Sequence, residues 1–141
     1  MSEPLYTIDI LRLAAATGDY PRLAAPDITV ERRSVTCGSR IIVDLAFGSD
    51  GAVAAFGQQV NACALGQAAA TLFARHIVGR SAPEIENARN AVANWLADAD
   101  APPPDWPGIE QLAPARRYSA RHGSIRLAFD AAAEAMQRVT V

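Results

Sequence analysis

Cys37 and Cys63 are the only thiols in this sequence, and a thiolate is both the nucleophile and the soft-metal ligand among protein side chains. Cys37 lies in Thr36-Cys37-Gly38-Ser39, in the turn before a strand read at Arg40 to Phe47. Cys63 lies in Asn61-Ala62-Cys63-Ala64-Leu65-Gly66-Gln67, at the start of an alanine-rich helix. Unpaired N–H groups and the helix dipole at such a place favour a thiolate. The plain alternative is one buried and one incidental cysteine. A buried helical cysteine normally lies inside the apolar stripe, whereas Cys63 precedes it.

The elements that must position these thiols follow from periodicity and turn chemistry. Residues 4–16 read as an amphipathic helix through Leu5, Ile8, Leu11 and Leu13, with Pro4 in its first turn and Thr17-Gly18-Asp19-Tyr20-Pro21 stopping it. Leu23 to Ile28 reads as a loop. Thr29 to Val35 alternates loosely around Glu31, Arg32 and Arg33, as an edge strand with a solvated face does. Arg40 to Phe47 is a strand, Gly48-Ser49-Asp50-Gly51 a turn, and Ala52 to Val60 the returning strand. That hairpin brings the two cysteines to one end.

Ala64 to Val78 reads as a helix ended by Gly79, with His76 near its C-terminus, where a partly protonated imidazole is favourable as a cap or surface group. Ser81-Ala82-Pro83-Glu84 has the spacing of a capping box and opens a second helix running to about Ala97. Asp98 to Pro107 is a proline-rich surface loop with Trp106 as a packing anchor. Gly108 to Leu112 suggests one helical turn, Arg116 to Arg121 an extended basic stretch, and Ser124 or Ile125 to about Arg138 a final helix. The order predicts an α+β fold: a three-stranded antiparallel sheet with helices packed on one face.

Composition bounds the rest. The 141 residues suit a single domain (residues 1–141) with a real core. A net charge of −2 argues against a nucleic-acid module. No apolar run is long enough to span a membrane, and no basic region precedes an apolar run at the N-terminus. A cytoplasmic, reducing location is expected. All thirteen basic residues are Arg, which together with abundant Ala reflects genome composition first. Conventional catalysis finds no support: the chain has no nucleophile elbow, P-loop or Gly-x-Gly-x-x-Gly.

Taken together, the ordered stretches resemble the U-type iron–sulfur cluster assembly scaffolds, which include IscU, SufU and the N-terminal domain of NifU. Leu5-Tyr6 to Tyr20-Pro21 looks like the family's opening helix and turn. Cys37-Gly38-Ser39-Arg40-Ile41 looks like its Cys-Gly-Asp turn and strand, and Cys63 to Ala68 with Gly79-Arg80-Ser81 like its second-cysteine helix. Pro107 to Phe129, with Ala120-Arg121 and Leu127-Ala128-Phe129, resembles the SufU branch. The resemblance covers nearly the whole chain.

Two positions depart from the family pattern. The family's third cysteine falls on Ser124, and its aspartate falls on Ser39. A neutral hydroxyl is a poor ligand for iron or zinc beside a thiolate, so Ser39 and Ser124 are expected only to line the pocket. His122 is a candidate third ligand, which would make Cys37, Cys63 and His122 a metal set with an open position; the plain alternative is a surface histidine. Arg121 is expected beside the pocket, pairing a partner's carboxylate or stabilising a thiolate, or else as a general surface residue.

The resemblance implies a non-enzymatic scaffold or sulfur acceptor. Persulfide sulfur from a cysteine desulfurase would reach Cys37 or Cys63, and a transient iron–sulfur cluster would pass to downstream apoproteins. A zinc-bound sulfurtransferase of the SufU kind is one alternative. The other is a degenerate adaptor that keeps the fold and holds no metal, for which Ser39 and Ser124 speak.

Overall fold

The structure is a computed structural model and describes residues 5–35 and 38–139. Its first helix, α1 (Ile8–Ala15), buries Ile10, Leu13 and Ala14 on one face. Thr7 caps it, its hydroxyl accepting from Ile10 N at 3.1 Å. An N-cap hydroxyl satisfies a donor that the helix cannot, so the helix begins at Ile8 and not at residue 4. Pro4, expected in the first turn, lies outside the described residues. The chain leaves α1 through a 3-10 segment, Ala16–Asp19.

Three strands, β1 (Ile28–Arg33), β2 (Arg40–Phe47) and β3 (Val53–Asn61), form an antiparallel sheet in the order β1-β2-β3. Val30 pairs with Val43 and Val43 with Gln58, so these three share a face. Val30, Ile41, Val43, Leu45 and Phe56 carry that face into the core. The expected edge strand, hairpin and helices on one face are all present. The turn between β2 and β3 uses Gly51 at φ +83°, in the left-handed region that glycine adopts without strain.

Between α1 and β1 the chain crosses the other face of the sheet. Gln58 N donates to Tyr20 O at the β3 edge, 2.8 Å away. A Cβ at Gly57 would stand 2.2 Å from Pro21 O, so only glycine permits this crossing. The segment is fastened to Asp44, a fully buried carboxylate that accepts from Arg22 Nε at 2.6 Å, Arg22 Nη2 at 3.1 Å, Leu23 N at 3.0 Å and Thr29 Oγ1 at 2.6 Å. Burial pushes the Asp44 carboxyl up, but the bonds from Arg22, Thr29 and Leu23 together outweigh it and hold the group below the usual carboxylate range.

Helix α2 (Ala64–His76) packs on β3 and α1, α3 (Ala82–Ala97) on α4, and α4 (His122–Val139) on β1 and β2. The predicted capping box opens α3: Ser81 Oγ accepts from Glu84 N, and Ser81 N donates to Glu84 Oε1. Phe73 centres the core, with ring centroids at 4.7 Å from Phe129, 5.2 Å from Trp106 and 5.7 Å from Phe56. Trp106 is the expected anchor, buried and donating from Nε1 to Leu72 O at 2.9 Å.

Two local expectations are corrected. Burial, Arg80 and Arg75 push the His76 pKa down, so the imidazole is kept neutral, and the α2 terminus is capped instead by Arg80 Nε on His76 O at 2.9 Å. The stretch from Arg116 to Arg121 is not extended. It completes a 3-10 segment, Ile109–Arg117, and forms a second, Ser119–Arg121, leading directly into α4. Arg116 explains the compaction: it stacks on Trp95 and donates to Trp95 O and Asp98 O, at 2.8 Å each, capping the end of α3.

Candidate functional site

Strand register decides where the site lies. Arg33 pairs with Arg40 and Arg40 with Asn61, so the β1–β2 connection and the end of β3 meet at one end of the sheet. Cys63 follows two residues after Asn61 and is the N-cap of α2, with φ −65° and ψ 170° and no side-chain cap bond. Its half-buried sulfur is therefore left to other partners at a helix N-terminus. Gln67 steadies the turn, its amide donating to Ala62 O at 3.1 Å. Cys37 lies outside the described residues. The connection that carries it is closed by Gly38 N to Ser34 O at 3.0 Å and Ser34 N to Ser39 O at 2.8 Å, with Gly38 at φ +68°.

Ser39 and Ser124 are brought together here. Both are buried, and their hydroxyls share a short hydrogen bond. Gly66 permits this approach of α4 to α2: a Cβ on it would stand 2.8 Å from Ala62 Cβ and 3.2 Å from Ser124 Cβ. Arg121 stands beside the same helix start. It donates to the Tyr6 hydroxyl, and its guanidinium lies 5.8 Å from the Tyr6 ring centroid. Tyr6 is the main cause that raises the Arg121 pKa above its ordinary value, and the Cys63 side chain acts in the same direction by charge and hydrogen bonding.

His122 is the first residue of α4, and its Nε2 meets Arg116 O at 2.8 Å. A carbonyl only accepts, so Nε2 carries the proton there. Metal ligation through Nε2 would require that bond to open. Among the described residues no group of three His, Cys, Asp or Glu side chains stands together as a metal centre.

Tyr6 is the site residue that sequence reasoning missed. A tyrosine just before a helix N-cap, without a place in the apolar stripe, was the available signal. Val35 and Tyr118, like Tyr6, are exposed around this end of the molecule, Val35 fully so.

The same arrangement of elements occurs in solved proteins. The N-terminal part of a nitrogen-fixing NifU-like protein from Brucella abortus superposes with a TM-score of 0.86 at 35% identity, over 96% of this chain and 94% of that one. The chain belongs to the NifU-like family. A putative iron–sulfur cluster assembly scaffold protein for the SUF system from Fervidobacterium islandicum shares the fold, with a TM-score of 0.81 at 15% identity over 94% of this chain and 96% of its own. A hypothetical protein also shares it, with a TM-score of 0.66 at 18% identity over 92% of this chain and 97% of its own. No protein-family model and no curated protein matches the sequence. Within this NifU-like fold, Cys63, Ser39, Ser124 and Arg121 converge at one end, and His122 is turned by its Nε2 toward the backbone at Arg116. Among the described residues no helix is long and apolar enough to cross a membrane.

Proposed function

We propose that this chain serves iron–sulfur cluster assembly as an acceptor of sulfur from a cysteine desulfurase, with Cys63 and Cys37 as the accepting thiols. Membership of the NifU-like family supports the process. The observation that carries the role is the position of Cys63: a half-buried thiol at the N-cap position of α2 that makes no cap bond, at the helix start beside which Arg121 stands.

In the accepting step the Cys63 thiolate attacks the outer sulfur of the desulfurase persulfide. A new S–S bond forms to Cys63, the donor's S–S bond breaks, and the donor cysteine leaves as a thiolate that takes a proton from solvent. No net oxidation occurs, because one persulfide replaces another. Arg121 holds negative charge on the attacking sulfur and on the persulfide formed, and Tyr6 holds Arg121 in place. The exposed Tyr6, Val35 and Tyr118 give the donor protein an apolar surface on which to dock. Sulfur then passes on at the same oxidation level, by attack of a downstream protein's thiolate on the outer sulfur with Cys63 released as thiolate, toward the iron–sulfur apoproteins that the process serves.

Incubation with a cysteine desulfurase and cysteine, followed by mass spectrometry of the intact chain, tests this reading. Sulfane sulfur is expected on the wild type and is expected to be absent from Cys37→Ser/Cys63→Ser. Equal loading of that double variant would refute the role.

A further inference from the structure

We propose that a basic cavity between the end of β1 and the start of α4 binds an acidic segment of the protein that delivers sulfur. The proposal rests on the sulfur-acceptor reading for the identity of that protein and adds what holds it.

The cavity has a volume of about 260 Å³ and opens to solvent. Arg32, Arg33, Ser34 and Val35 line it from the β1 side, and Arg126 and Asp130 from α4. It adjoins the thiol site. Ser34 holds the connection that carries Cys37, its N–H donating to Ser39 O at 2.8 Å and its carbonyl accepting from Gly38 N at 3.0 Å. Arg126 follows Ser124 by two residues on α4. Val35, fully exposed, joins the cavity to the apolar surface assigned above to the donor.

Charge around the cavity is positive although the whole chain carries −2. Glu31 is shared between Arg40 at 2.7 Å and Arg33 at 3.4 Å. Glu134 is shared between Arg138 at 2.5 Å and Arg32 at 2.9 Å. Asp130 stands 3.5 Å from Arg126 and 4.0 Å from Arg89, which also holds Glu86. Six guanidinium groups thus meet four carboxylates in this network. The long contacts of Arg33 and Arg126 leave these two the least committed. Exposed pairs of this kind are weak, so an incoming carboxylate can take over either guanidinium. Two further donors in the wall, Ser34 Oγ and Arg126 Nε, are buried without a hydrogen-bond partner among the described residues. A buried donor without an acceptor is unfavourable, and an anion seated here supplies one.

The wall decides the class of occupant. Small-molecule sites are concave and mostly apolar. This cavity is open, and its wall is mainly guanidinium, hydroxyl and carboxylate. That suits carboxylate side chains presented on a protein surface. A net charge of −2 tells against a nucleic-acid partner.

Fluorescence anisotropy with a labelled hexaglutamate peptide, on the full chain at low ionic strength, tests the site. Binding is expected, with none to a hexaglutamine peptide, and it should weaken at least about tenfold in Arg33→Gln/Arg126→Gln. Arg33→Gln alone removes an exposed group and should weaken binding in the same direction, which guards against a misfolded double variant, with circular dichroism as the fold check. Arg12→Gln, which removes an exposed arginine on α1, should leave binding unchanged. Equal binding by the double variant, an equal loss in Arg12→Gln, or tighter binding of an oligothymidylate of the same charge would overturn the proposal. Sulfur loading gives the second readout. With the desulfurase well below saturation, the double variant should load at least about fivefold more slowly than the wild type, and the difference should shrink with added salt. Unchanged loading under those conditions would overturn the assignment to the sulfur donor. If the wild type takes no sulfur from a desulfurase, the acceptor reading fails, while the peptide comparison still decides whether the cavity takes acidic segments.

Discussion

Arg121 owes its place to one hydroxyl. Its guanidinium is exposed enough to lose order if the Tyr6 hydroxyl is removed, so Tyr6→Phe should disturb the site without touching a thiol. Arg121→Gln should slow persulfide loading of Cys63 by about tenfold, the worth of one charge-assisted bond, and Tyr6→Phe by less. Stopped-flow loading assays read both, and equal rates for Arg121→Gln and wild type would remove Arg121 from the step. Gln58 raises a different question. Its side chain faces the core beside Val43, is buried, and neither amide atom has a hydrogen-bond partner. Nothing in the structure explains its retention. Gln58→Leu should therefore stabilise the fold by about 1–2 kcal/mol, read by urea denaturation, because it removes two unpaired polar atoms and keeps the volume.

At the scale of elements, the strap from Tyr20 to Leu23 depends on the bare backbone of β3. Gly57→Ala places a methyl 2.2 Å from Pro21 O and 2.9 Å from Leu23 N, both backbone atoms that cannot swing aside. A loss of about 2–4 kcal/mol is expected, with the strap loosened before the sheet, as amide exchange at Leu23 would show. The elements themselves were largely legible. Strand β2 was read from its run of β-branched residues, and α3 from Ser81 and Glu84, since local chemistry sets both. Residues 116–121 were misread as extended because their order comes from Arg116 stacking on Trp95, a contact across 21 positions that no local pattern records. For His76 the same reason holds for its charge and its capping: helix position favours a partly protonated imidazole as a cap, but packing and the arginines around it lower its pKa and Arg80 takes the carbonyl.

Over the whole molecule, Asp44 ties the strap, β1 and β2 into one unit through four accepted bonds. Its carboxyl is held below the ordinary range, so its contribution is complete above the unfolded value of about 3.9 and fades as pH falls through the lower folded value. Acid unfolding of the wild type should therefore steepen below about pH 4, and Asp44→Asn should lower stability at neutral pH and flatten that acid limb. Asp44→Ala should cost about 2–4 kcal/mol at pH 7, because the Thr29 hydroxyl and Leu23 N–H lose their acceptor. The sequence by itself determined the order of elements, the α+β class, the two thiols and the two serines that stand where its relatives' resemblance implied ligands. Turn residues, caps and apolar periods are short-range signals, and they survive in one dimension. Only the tertiary structure decided that the serines bond each other, that Arg121 donates to the Tyr6 hydroxyl, and that His122 Nε2 faces Arg116. Those contacts join residues as far apart as 6 and 121, and packing between elements, not spacing along the chain, sets them.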